Sequence, residues 1–362
     1  MITLKDKVSS FFVFFLITAA QIGIGVLGFQ RIISEYAGHD AWMSIIVAAL
    51  AISGVIWLMY RMLGHHEEGD IIGIHRFTFG KWLGGLLSVL FAAYLVLLAT
   101  VVLRTYVEII QVWMFPHINV WALLLLILPL VYYIISVEFR TVVGVCFLGV
   151  VYPSFLLLTL FFPLKYAEPT NIMPVMDHSM IEIIQSSSLA ILEFMGVSAL
   201  LVFYPFIRDA AKSQKFAQLG NGATMLVYLA ICIVSYLYYN QQELTDVIWA
   251  TLGFWKIIEL PFMARFEYFG ISTLFFSILP NIALFTWASA RTLDRTFHAG
   301  HKKMALLVIT ILFLVCVGMT DRMGVNIIND VAGKMGLVVL FVYVPLLFLL
   351  NVVRRKVKKN GS

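Results

Sequence analysis

No charged side chain occurs between residues 141 and 162. A run of that length and polarity is what a helix needs to cross the apolar part of a bilayer, about 20 mostly apolar residues. Ten such runs divide this chain: 10–34, 41–62, 80–112, 119–137, 141–162, 182–206, 218–239, 262–290, 304–320 and 336–353. Each is expected to be a helix, because an isolated span must satisfy its own backbone hydrogen bonds. The expectation is an all-α integral membrane protein forming one transmembrane domain over residues 1–362. Composition agrees: 61% of the 362 residues are hydrophobic and 12% are charged, where soluble domains average about 25% charged. That excludes a soluble enzyme, a secreted disulfide scaffold and a disordered chain. Cys146, Cys232 and Cys316 all fall inside apolar runs and give neither a disulfide framework nor a metal spacing. The apolar run after Lys5 and Lys7 lacks a cleavage site and reads as a retained first span.

The scarce charge sets orientation. With the N-terminus inside, all but seven of the 25 Lys and Arg residues fall on inner segments; the exceptions are Arg31, Arg104, Lys165, Lys256, Arg265, Arg322 and Lys334. This bias places both termini in the cytoplasm. The net charge of +5 is thereby assigned to anionic lipid headgroups. The basic tail Arg354–Lys359 is no sign of nucleic-acid binding. Segment 163–181, with Pro163, Pro169 and Pro174, reads as an ordered outer loop. Segment 240–261 suggests a short interfacial helix ended near Pro261.

Two spans are interrupted. The first contains Gln21-Ile22-Gly23-Ile24-Gly25-Val26-Leu27-Gly28, and each glycine costs a helix about 1 kcal/mol against alanine. The sixth contains Glu193-Phe194-Met195-Gly196-Val197-Ser198. In a chain built as two five-span halves, spans 1 and 6 correspond, and the odd number of spans makes the halves inverted. Paired interruptions in corresponding spans point to a binding site near the bilayer midplane.

These residues carry a resemblance. The Gln21–Leu27 run, the pattern of Phe194, Gly196, Pro205, Phe206, Arg208 and Asp209 (F-x-G-x-E, then P-F-x-R-D), and Arg265-Phe266-Glu267 (like E-R-F-D or E-R-F-E) are similar to motifs of the spore permease family. That family holds the B subunits of spore germinant receptors, within the amino acid–polyamine–organocation superfamily. The ten-span layout fits it as well. Ser198 stands where many members have Glu, Ala264 replaces the leading Glu before Arg265, and Gln30 stands where members often have Pro. The change at 198 bears on ligand identity more than on fold.

The resemblance implies a five-plus-five inverted repeat with discontinuous helices 1 and 6. It implies a nutrient-sensing subunit in the spore inner membrane, partnered by an A subunit and a C lipoprotein. A small nutrient, such as an amino acid, binds and triggers germination. The carboxylate of such a zwitterion would meet the N–H groups near Gly23, Ile24 and Gly25, beside Gln21. Its ammonium would meet carbonyls near Phe194 and Met195, by Gly196, or Ser198. Its side chain would touch Tyr94, Leu98 and Val101 on span 3, with Thr286 and Ser289 added from span 8. Core packing for the span 3 residues, and bonds within their own helix for Thr286 and Ser289, are the rival readings. Glu193 is an ionisable group in a span, placed for function or near a solvated outer mouth. Arg31–Glu35 and Arg104–Glu108 read as interfacial salt bridges first and extracellular gate elements second, and Arg265 with Glu267 as structural or subunit-facing.

Chemistry is otherwise sparse. His65-His66-Glu67-Glu68 and the pair His298 and His301 lie in polar inner loops without metal-ligand spacing. Gly80 and Gly84 form a G-x-x-x-G explained by helix packing, with dimer contact as the alternative. No nucleotide loop and no nucleophile set occurs, so neither an enzyme nor a cofactor is expected. The competing functions are an ion-coupled amino acid transporter, with sodium held by span 1 carbonyls together with Thr286 and Ser289, and a structural scaffold with a vestigial pocket.

Overall fold

The computed structural model describes residues 6–66, 69–259, 261, 263, 265–319 and 322–360, with the side chains of 358–360 excepted. Lys5, Glu67, Glu68, Ala264 and the side chains of Lys358 and Lys359 lie outside the described residues. The fold is all-helical and multi-pass. Its α-helices are α1 (Phe12–Gln21), α2 (Phe29–Ala37), α3 (Trp42–Leu63), α4 (Ile71–Trp113), α5 (Val120–Ser136), α6 (Phe139–Val151), α7 (Met180–Ala190), α8 (Leu200–Phe203), α9 (Gln214–Tyr238), α10 (Gln241–Asp246), α11 (Ala250–Lys256), α12 (Phe266–Phe297), α13 (His301–Gly318), α14 (Arg322–Leu337) and α15 (Val344–Asn360). Among the described residues, eight stretches are long and apolar enough to cross a membrane, and α1 and α5 are shorter apolar helices.

The bundle is inverted relative to a water-soluble protein. Trp82, Leu126, Leu158 and Ile181 are exposed, which a lipid solvent favours as much as a core would. Polar side chains collect inside: Gln21, Gln30, Asn221, Asn281, Thr286 and Ser289 are all buried. The long helices α4 and α12 pack along each other, with α1 set against α9 and α6.

Basic residues assigned to the inner segments do gather at one end of the bundle. Val8 pairs with Ile207 in an isolated parallel bridge, and Arg140 donates to Lys7 O at 3.1 Å. Asp70 pairs with Arg295, Arg76 donates to Arg295 O at 2.6 Å, and Arg354 donates to Thr78 O. A cavity of about 800 Å³ at this end is lined by Trp57, Arg61, His65, Phe77 and Arg355.

Several local expectations change. A helix runs from Ile71, nine residues before the expected start of span 3 at 80, and Asp70 caps it by accepting from Gly73 N at 2.9 Å. Gly80 then turns the chain at φ 83°. Gly84 lets the folded-back turn approach, since a Cβ there would lie 2.6 Å from His75 O. The G-x-x-x-G therefore serves a bend within one chain. The 240–261 segment forms two short helices, α10 and α11, the first held by a capping box between Asn240 and Glu243. Neither predicted i,i+4 pair forms. Arg31 and Glu35 make no ion pair among the described residues. Arg104 donates to Met319 O at 3.0 Å, and Glu108 pairs with Arg322 at 3.7 Å. Arg265 and Glu267 pair with each other at 2.8 Å, at the start of α12. The outer loop 163–181 is tied down: Asp40 accepts from the backbone of Met176, Asp177 and His178 at 2.7–3.1 Å, and His39 Nδ1 bonds Asn171 O at 2.5 Å.

Candidate functional site

Helix α1 stops at Gln21 in the interior of the bundle. Ile22 is extended at φ −88°, ψ 95°, a short 3-10 turn runs Ile24–Leu27, and α2 restarts at Phe29. The last carbonyls of such a helix have no intrahelical partner, and side chains from other elements take them. Asn281 Nδ2 donates to Ala19 O at 2.5 Å and to Ile22 O at 3.0 Å. The Tyr228 hydroxyl lies 3.1 Å from Gln21 O and 2.9 Å from Glu193 Oε2.

The other side of the break is covered by the 191–199 segment. Here the helix tightens into a 3-10 form over Ile191–Ala199, with helical dihedrals kept at both flanks. This interruption is a change of pitch where the first is an opening. It allows close approach: a Cβ on Gly196 would fall 1.9 Å from Ala20 O, and one on Gly25 would fall 1.9 Å from Glu193 Oε2. Glu193 thus sits over the bare backbone of Gly25, with Tyr228 as its hydrogen-bond partner. Further along the break, Thr251 donates to Val26 O at 2.8 Å and accepts from Gln30 Nε2 at 2.7 Å. Ile248 O and the Trp249 ring close on Gly28.

The predicted site residues divide as follows. Gln21, Gly23, Ile24, Gly25, Phe194 and Gly196 come together at the break. Gln21 Nε2 bonds Asn221 Oδ1 at 3.0 Å and reaches Phe194 O at 3.4 Å. Gly23 faces Asn281. Tyr94 and Ser198 are neighbours. Neither closes a hydrogen bond of regular geometry, and the same holds for Thr286 Oγ1 and Gln21 Oε1, all four atoms being buried. Ser289 bonds Ala92 O of α4 at 3.0 Å, a bond between helices and not within its own. Met195 points its sulfur at Gly336 of α14, away from the break. Leu98 is buried and Val101 half-buried on α4. A separate cavity of about 170 Å³ flanks the break, walled by Ile22, Val26, Pro153, Val227, Trp255 and Ser277; none of the predicted site residues lines it. Sequence reasoning missed Asn281, Tyr228, Asn221 and Thr251. A lone amide beside Pro280 in an apolar run is the one signal that would have found Asn281.

A family model described as spore germination protein matches residues 7–324. The chain belongs to the spore germination protein family. It is 38% identical over 358 residues to spore germination protein GerQB of Bacillus cereus, covering 99% of each. Spore germination protein A2 of Bacillus subtilis (strain 168) is 20% identical, with 97% of each chain covered. Membership places the chain among germination proteins and outside the enzymes. Two solved structures share the fold. A sodium-coupled sialic acid symporter in a substrate-bound outward-open state superposes with a TM-score of 0.63 at 15% identity, over 92% of this chain and 77% of that one. MhsT in complex with L-phenylalanine gives 0.61 at 13% identity, over 96% and 99%. The chain therefore has the fold that these two structures share.

Proposed function

We propose that this chain is the nutrient-sensing B subunit of a spore germinant receptor. The observation that carries the reading is membership of the spore germination family along nearly the whole chain. In this reading the molecule has ten spans in a five-plus-five inverted repeat, with helices 1 and 6 as the discontinuous pair. It resides in the spore inner membrane with both termini cytoplasmic and works with A and C subunits. The gathering of Lys7, Arg61, Arg76, Arg140 and Arg295 at one end supports that orientation.

The nutrient would bind at the break, among Gln21, Gly23, Ile24, Gly25, Phe194, Met195, Gly196, Ser198, Tyr94, Leu98, Val101, Thr286 and Ser289. The unsatisfied polar atoms of Gln21 and Thr286 support this, since burying a polar group without a partner costs about 1–3 kcal/mol and a polar ligand would recover it. Glu193 refines the pose. Its carboxyl group covers Gly25, so a ligand carboxylate is crowded away from those N–H groups, whereas an ammonium or a neutral donor would meet a ready acceptor oxygen. Occupancy would favour one conformer of the bundle by its differential affinity, and the A subunit would read that conformer.

Germination of spores with and without this chain, across amino acids, sugars and nucleosides, tests the reading. A response lost only without the chain supports it; identical responses to every nutrient refute it. An ion-coupled amino acid transporter is the second reading, favoured by the shared fold with MhsT and the sialic acid symporter. Gradient-dependent uptake into vesicles by this chain alone would establish it.

A further inference from the structure

The fold shared with a sodium-coupled symporter makes sodium the ion to test against this break. Unwound main-chain carbonyls at a broken helix are the donors a transporter offers to such a cation. In this chain those carbonyls are spoken for. Ala19 O and Ile22 O, one turn apart, both lie within hydrogen-bond distance of Asn281 Nδ2. An amide nitrogen carries two protons and its oxygen none. Two facing carbonyls therefore require the nitrogen end, and both of its protons are matched. Asn281 is 2% exposed and follows Pro280 within α12. Gly23 leaves it room, a Cβ there lying 3.2 Å from the amide nitrogen. Thr18 O accepts from Ile22 N at 2.8 Å, and Gln21 O shares the single proton of the Tyr228 hydroxyl with Glu193 Oε2. The residues present do not fit a sodium ion.

We propose that Asn281 is a built-in stand-in for a coupling cation. Its neutral amide satisfies the orphaned carbonyls permanently and keeps the shape of the break without an ion. The stability of the chain, and its response to nutrient, are then independent of sodium. The proposal goes beyond the receptor reading and does not need it to hold.

The test is thermal unfolding of the purified full chain in detergent, in sodium chloride and in choline chloride at equal ionic strength. The wild-type chain is expected to unfold at the same temperature in both. Asn281→Asp turns oxygens toward the two carbonyls and is expected to gain a saturable, sodium-specific rise in midpoint. Asn281→Ser frees both carbonyls beside a hydroxyl and is expected to do the same; it decides the matter where the aspartate variant fails to fold. A wild-type chain stabilised saturably by sodium over choline overturns the proposal, as do folded variants blind to sodium. The germination screen keeps the two readings apart. A sodium-blind chain whose loss leaves germination unchanged refutes the receptor alone, and a sodium-stabilised chain whose loss abolishes germination refutes the stand-in alone.

Discussion

Glu193 rests its carboxylate directly on the backbone of Gly25, close enough that a single methyl group on Gly25 would fall 1.9 Å from Oε2. The contact joins the two interrupted stretches across 168 positions of sequence, and it sets which substitutions perturb the site without dismantling the bundle. Gly25→Ala is expected to displace only the far end of a flexible side chain. Nutrient response should fall while the chain still reaches the spore membrane in normal amount, and a bulkier Gly25→Trp should abolish it. An unshifted germination dose–response in either variant would exclude the break as the site.

Glu193→Gln retains the size of the side chain and an acceptor for Tyr228 but replaces the second carboxyl oxygen by an amide donor. Hydrogen bonds to charged groups contribute about 1.5–3 kcal/mol, and each ~1.4 kcal/mol is tenfold in affinity. The nutrient concentration for half-maximal germination is therefore expected to rise by roughly ten- to a hundredfold. Equal sensitivity in wild type and variant would show that no ligand donor meets this carboxylate.

Gly196→Ala is expected to behave differently from Gly25→Ala. The added methyl would sit 1.9 Å from the Ala20 carbonyl, which is backbone and cannot swing aside. Overpacking of this kind costs about 1–3 kcal/mol or more. Reduced yield and a lower unfolding midpoint are expected in the purified chain, with loss of response following from loss of protein.

Asp70 caps α4 through Gly73 N and pairs with Arg295. Its side chain is 4% exposed and that of Arg295 is 19% exposed, so solvent screens the pair little. Asp70→Asn keeps the cap but removes the charge that pairs with Arg295. For a largely buried pair the loss of one partner costs about 3–5 kcal/mol, less whatever Arg295 recovers at the bundle end. A lowered midpoint is expected in Asp70→Asn and a still lower one in Asp70→Ala, which loses the cap as well; a midpoint unchanged by Asp70→Asn would mean the pair contributes nothing.

The apolar runs and the places where they break are local properties, and they were legible. Gly23, Gly25 and Gly28 announce an opening because each lacks the side chain that makes a helix favourable. The i,i+4 pairs were local readings too, and they failed because Arg104 found Met319 O and Glu108 found Arg322 from another element. Nothing local shows that the Met195 sulfur packs on Gly336, because that contact is made with another element.

By itself, then, the chain's order of apolar and charged residues determined that it is an all-helical membrane protein, where its first helix opens, and which end gathers the basic residues. What fills that opening was decided only by tertiary structure. Asn281 lies 262 positions from Ala19, and Tyr228 lies 207 from Gln21. A helix end in a dry interior must have its carbonyls satisfied, but nothing local says by whom. Only packing α12 and α9 against α1 selects an amide and a phenol for that place.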